Sequence, residues 1–132
     1  MRSLKAALVF TSLIGTSVAV PAGEVNYRCT VLTVQELDEW GMLQESSLPA
    51  IGTGAEFVVD RRTGLIAGDL LVNAEATSVQ VIHPGGHGFD FTVVSNFRHS
   101  YAEVVWIQEQ AAAPAKPFVA LSLHGVVTGT CE

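Results

Sequence analysis

The 132-residue sequence predicts an all-β domain: an antiparallel meander of about eight short strands forming a small closed barrel, with a β-sandwich as the alternative. Three observations predict it. Apolar residues after residue 26 recur mostly with a period of two rather than 3.6, the pattern of half-buried strand. Turn residues punctuate the chain roughly every 8 to 12 residues, as in sandwiches and barrels. Two cysteines, Cys29 and Cys131, stand near the two ends of what remains once the N-terminal segment is set aside.

That segment comes first in the chain. Residues 1–22 read as a secretory signal peptide, with Arg2 and Lys5 as a positive start and an apolar run from Ala6 to Ile14. Val20-Pro21-Ala22 places small or apolar residues before a cut after Ala22. Ser17-Val18-Ala19 satisfies the same rule but would leave a proline beside the new terminus. The run is too diluted by Thr11, Ser12, Gly15, Thr16 and Ser17 to supply the roughly 20 apolar residues of a spanning helix. The expectation is therefore a periplasmic or secreted protein, residues 23–132 forming a single domain, with no membrane insertion after cleavage.

The first strand follows at 27–36, where Tyr27, Cys29 and Val31 alternate with Arg28 and Thr30. Glu36-Leu37-Asp38-Glu39-Trp40 hints at a helical turn, and Asp38 to Gly41 reads as a turn before a short strand at 42–45. A longer loop, 46–54, leads to a strand at 55–60. Asp60-Arg61-Arg62-Thr63-Gly64 then offers an aspartate to cap a hairpin and a glycine free to take positive φ. Strands are expected at 65–72 and 77–82, followed by a loose glycine-rich turn from His83 to Gly88. Phe89, Phe91 and Val93 alternate in a strand at 89–95, and further strands are expected at 101–108, 117–123 and 126–131. The loop 110–117 and a tight turn at His124-Gly125 separate the last three. Val104 to Ile107 and Phe118 to Leu123 are apolar on both faces, the mark of strands covered on both sides or packing outward as well as inward.

The cysteines fit this reading. In an exported protein an isolated pair oxidises, and a Cys29–Cys131 bridge would set the first and last strands side by side, as a closed barrel requires. An outer-membrane barrel fits less well, because its strands need about 9–11 residues and an outward apolar band.

Charge limits the partners. The chain carries 13 acidic residues against 7 basic ones, and loss of residues 1–22 removes Arg2 and Lys5, leaving only Arg28, Arg61, Arg62, Arg98 and Lys116. Nucleic acid needs clustered Lys and Arg, so it is a poor partner. No Gly-x-Ser-x-Gly elbow, His-Glu-x-x-His helix, phosphate-binding loop or dinucleotide fingerprint is present. The expectation is a protein that is not an enzyme and uses no cofactor. His83 and His87 share a loop and would chelate Zn²⁺ or Cu²⁺ only if Asp90, His99 or His124 folded nearby, and the intervening Pro84-Gly85-Gly86 gives them no rigid support.

Aromatic residues carry the remaining binding signal. Phe57, Phe89, Phe91, Phe97, Tyr101, Trp106 and Phe118 are candidates to line an interior pocket for a small apolar ligand, or to form the core itself. The runs Phe57-Val58-Val59-Asp60-Arg61-Arg62-Thr63-Gly64-Leu65-Ile66-Ala67-Gly68 and Lys116-Pro117-Phe118, followed by Gly129-Thr130-Cys131-Glu132, resemble small exported bacterial proteins of uncharacterised function. The resemblance spans most of residues 23–132; it implies an envelope location and supplies no catalytic residue. Three functions are thus expected: a module binding a small apolar ligand or a partner protein, an inhibitor-like protein presenting loop 46–54 or 110–117 to a protease, and a metal-binding His loop.

Overall fold

The computed structural model describes residues 25–47 and 52–132. The expected signal peptide and part of the 46–54 loop lie outside the described residues. Among the described residues there are nine strands: β1 (Asn26–Leu37), β2 (Leu43–Glu45), β3 (Glu56–Asp60), β4 (Ile66–Gly68), β5 (Ser78–Gly86), β6 (Phe89–Phe97), β7 (Tyr101–Ile107), β8 (Lys116–Ser122) and β9 (Gly125–Cys131). They form one antiparallel sheet in the order β4-β3-β1-β9-β8-β7-β6-β5, with β2 paired to the far end of β1. The sheet curls strongly into a half-barrel.

The period-two pattern places the core. Tyr27, Cys29 and Val31 of β1, Phe57 and Val59 of β3, Phe91 and Val93 of β6, Val105 and Ile107 of β7, Phe118 and Ala120 of β8 and Val127 of β9 all point into the concave side and are buried. Phe57 meets Phe118 edge-on with ring centroids 5.1 Å apart, and Tyr27 leans on Phe91 at 5.2 Å. Both geometries suit the quadrupoles of the rings. A bulge between Val31 and Thr33 in β1, and another between Val81 and His83 in β5, bend the sheet enough to curl.

The first and last strands do lie side by side. Arg28 and Glu132 exchange both backbone hydrogen bonds, at 3.0 and 2.8 Å. The next pair, Cys29 and Cys131, therefore occupies the close, non-hydrogen-bonded position, where the Cα atoms stand 4.0 Å apart and the disulfide spans 102 residues of sequence.

The barrel does not close by hydrogen bonding: among the described residues β4 and β5 are sheet edges that do not pair. The predicted strand 65–72 shortens to Ile66–Gly68 because Leu70, Leu71 and Asn73 turn inward and are buried instead of continuing a ladder. Asn73 takes the place of a partner strand. It accepts from the Ile66 N–H at 2.7 Å, donates through Nδ2 to the Gly64 carbonyl at 2.8 Å and to Ser95 Oγ at 2.9 Å, and gives its own N–H to the Ile66 carbonyl at 3.2 Å. One side chain thus joins the β3–β4 hairpin to β6. Gly64, at φ 74°, fits against Val79, Val81 and Val93, where a Cβ would collide.

Two further expectations need correction. Residues 36–40 are not helical: β1 runs through Leu37, and the Asp38 carboxylate accepts from the Trp40 and Met42 N–H groups at 2.9 and 2.8 Å, fixing a turn. Nor is 83–88 a loose loop. β5 continues to Gly86, and only His87 (φ 53°) and Gly88 (φ 89°) form the turn, both in the left-handed region that a tight hairpin demands.

Candidate functional site

The β1–β2 hairpin supplies the largest anomaly of the surface. The β1–β9 ladder ends at Gln35 opposite Val126, and the chain projects beyond it before returning as β2. Leu37 pairs with Leu43, and together with Trp40 and Met42 they place four large apolar side chains on this projection. Trp40 is 81% exposed, Leu37 68% and Met42 66%. Scattered exposed leucines are ordinary, whereas four large exposed apolar side chains within residues 37–43 make this tip a candidate interaction surface. The tip is stiff: Asp38 donates its N–H to the Met42 carbonyl, and its carbonyl accepts from the Gly41 N–H, besides the two carboxylate bonds.

The apolar surface continues onto the convex face. Register places Val94, Val104, Leu121 and Val126 in one row across β6 to β9, with Thr92, Trp106, Val119 and Thr128 in the next. Leu121, Leu123 and Trp106 are exposed, and among the described residues no layer covers this face. Residues predicted as apolar on both faces therefore pack inward on one side and face outward uncovered on the other.

The candidate ligand-lining aromatics are not brought together. Phe57, Phe91 and Phe118 are built into the filled core, whereas Phe89 (57% exposed) and Trp106 (39% exposed) face outward. Phe89 stacks on His83 at 4.5 Å, and the Trp106 indole N–H donates to Asp90 Oδ2 at 3.0 Å. Tyr101 is half-buried at one mouth of the half-barrel, stacked on Phe97 at 4.5 Å with the rings nearly parallel. Glu75, Ala76, Thr77, Arg98 and His99 complete a shallow cleft around that pair. One layer below lies Glu103, in step with Val105 and Ile107 and opposite Ser95, and so buried. Its Oε1 has no hydrogen-bond partner, and burial pushes its carboxyl up to about 7.

The opposite mouth holds a polar cluster. Tyr27 donates its hydroxyl to Glu109, the Arg61 guanidinium stands 3.4 Å from the same carboxylate and 5.0 Å above the Tyr27 ring, and it also donates to the Pro84 carbonyl at 3.2 Å. Burial, and then the Glu109 carboxylate, push the Tyr27 hydroxyl well above its ordinary range, with Arg61 opposing. Because Arg61 follows β3 and Pro84 lies in β5, this cluster bridges the open seam at its second end.

His83 sits in β5 with Nδ1 buried and unpartnered, and His87 lies in the turn beyond it. Among the described residues no group of three or more His, Cys, Asp or Glu side chains is placed to hold a metal ion. Of the two expected presenting loops, 46–54 is described only in part, and 110–117 is tied down. Its Lys116 opens β8 and donates to the Ala111 carbonyl at 2.8 Å.

Sequence reasoning passed over the hairpin tip, Asn73 and Glu103. Trp40 and Met42 on either side of Gly41 were the legible sign of the first, and alternation with Val105 and Ile107 was that of the last. Fold and surface together define a disulfide-bonded β half-barrel with a filled concave side and exposed apolar residues on the hairpin tip and across β6 to β9. No family, curated protein or solved structure matches the chain.

Proposed function

We propose that the chain is an exported, non-catalytic module that docks a partner protein through the β1–β2 hairpin and the convex face beside it. The exposure of Trp40 on a preorganised turn is the observation that carries this reading. Tryptophan is enriched among residues that dominate binding energy, and a turn already fixed by Asp38 loses little entropy on docking. The alternatives gain less support. A small apolar ligand would have to displace Phe57, Phe91, Leu71 or Ile107 from the concave side, since these fill it. Export is supported by the form of residues 1–22 and by the buried Cys29–Cys131 bridge, which is compatible with an oxidising compartment. The resemblance of the Phe57 to Gly68 run to exported bacterial proteins points the same way.

The test is co-purification from the host's envelope or secreted fraction with the unchanged protein and with Trp40→Ser/Met42→Ser. Both residues are exposed, so the variant should keep its thermal midpoint while losing the co-purifying protein. An identical set of captured proteins in both would overturn the reading.

A further inference from the structure

We infer that the partner presents an apolar pocket rimmed by Lys or Arg side chains. This rests on the hairpin being the docking element and adds the chemistry of what it meets. Residues 36–45 carry Glu36, Asp38, Glu39 and Glu45, and no Lys or Arg occurs anywhere between residues 29 and 60. The two ion pairs among the described residues lie elsewhere, at Arg61 and Arg62. Glu36 accepts a hydrogen bond from the Ser46 hydroxyl and Asp38 is spent on the turn, which leaves Glu39 and Glu45 exposed and facing the solvent from either side of Trp40 and Leu43. Burying Trp40 and Met42 in a pocket brings these carboxylates to its edge. Desolvating a carboxylate without a counter-charge is costly, so only a rim of cations makes the docked state favourable.

The same arithmetic of charge rejects other occupants. A second copy would set four more carboxylates against these four, and the chain as a whole carries a formal charge of −6. An anionic membrane surface is repelled for the same reason. A basic-rimmed pocket instead gains twice, in steering the encounter and in pairing with Glu39 and Glu45 once bound.

Three synthetic amphipathic peptides test this, built from Leu/Lys, Leu/Glu and Ser/Lys and titrated into ¹⁵N-labelled, disulfide-bonded protein. The chain has two tryptophans, so the indole N–H of Trp40 reports the hairpin while that of Trp106, held by Asp90, reports the convex face. The Leu/Lys peptide should move the Trp40 signal, with or without a smaller shift at Trp106. Its affinity should fall at least about tenfold in Trp40→Ser and in Glu39→Lys/Glu45→Lys, and should weaken as salt is raised. Equal binding of Leu/Glu would overturn the basic rim while leaving the hairpin as the docking site. Leu/Lys binding that ignores both variants, or no binding by any of the three, would overturn the hairpin reading as well. A dimer in sedimentation that Trp40→Ser abolishes would replace the basic partner with a second copy.

Discussion

Replacing Glu103 by Gln should stabilise the protein at neutral and alkaline pH and leave it nearly unchanged in acid. The carboxyl is buried on the concave face opposite Ser95, its Oε1 lacks a partner, and among the described residues no cation pairs with it. Burial alone raises it from 4.5 to about 7. The folded chain therefore holds this proton where the unfolded chain has released it. Stability that is complete below about pH 4.5 is lost as pH rises towards 7 and stays lost above it. At 1.36 kcal/mol per pH unit that window bounds the loss at about 3 kcal/mol. Solvent reaches the cleft lined by Thr77, Phe97 and Tyr101 at the mouth above it, so screening reduces the expected size to roughly 1–2 kcal/mol. For a domain of this length, that is a rise in thermal midpoint of several degrees. Calorimetry or circular dichroism melts of the two proteins at intervals from pH 4 to 8.5 should show curves that meet in acid and separate on the alkaline side. Parallel curves across the range would show that Glu103 is hydrated or paired in the folded chain and would refute the argument.

Other perturbations address the closure of the half-barrel. Cys131→Ser should lower stability by about 2–5 kcal/mol in denaturant titrations, because the bridge closes most of the described chain into one loop; two free thiols in unfolded, non-reduced protein would contradict the bridge itself. Asn73→Ala strands the Ile66 N–H, the Gly64 carbonyl and the Ser95 hydroxyl in the interior, so a loss of about 2–4 kcal/mol should appear in the same measurement, whereas a change within about 0.5 kcal/mol would mean that water replaces the side chain. Asp60 is held below its usual range by the Thr63 and Arg62 N–H groups, so its contribution is present above its unfolded value and fades as pH falls. Asp60→Ala should therefore destabilise at pH 7 but not near pH 2, and an equal loss at both values would exclude a charged cap.

Local chemistry explains how much of this was legible in the sequence. Strand positions followed from alternation, and the Asp60 to Gly64 hairpin from a capping carboxylate and a glycine, because both depend on neighbours in the chain. The pairing of the two termini followed from the cysteines. What escaped depends on partners far away in sequence. Asn73 follows the segment 65–72 that reads as strand and looks like a connecting residue, and its inward role shows only when the β3–β4 hairpin and Ser95 of β6 are brought around it. His83 to Gly86 looked like a loop because Pro and Gly dominate it, yet it pairs with Thr92, Phe91 and Phe89 of β6, with Gly85 and Gly86 taking the positive φ that only glycine adopts freely. The proposed docking surface was obscured for a different reason: aromatic residues were weighed as interior lining, and Trp40 fell inside a segment read as a helical turn.

The open seam and the apolar exterior have a common origin. A hydrogen-bonded barrel would need a long strand between β3 and β5, and the chain spends residues 69–77 on filling the interior with Leu70, Leu71 and Asn73 instead. The seam is then bridged near one mouth by Asn73 and at the other by Arg61, Tyr27 and Glu109. With the concave side filled and both mouths pinned, the apolar surplus of β6 to β9 can only face outward. Before any partner docks, such a face would be a cost, and the acidic side chains of the hairpin beside it place like charge between copies. On the proposed docking, the same charges would oppose self-association and favour a partner of opposite sign, so that one element would serve both solubility and specificity.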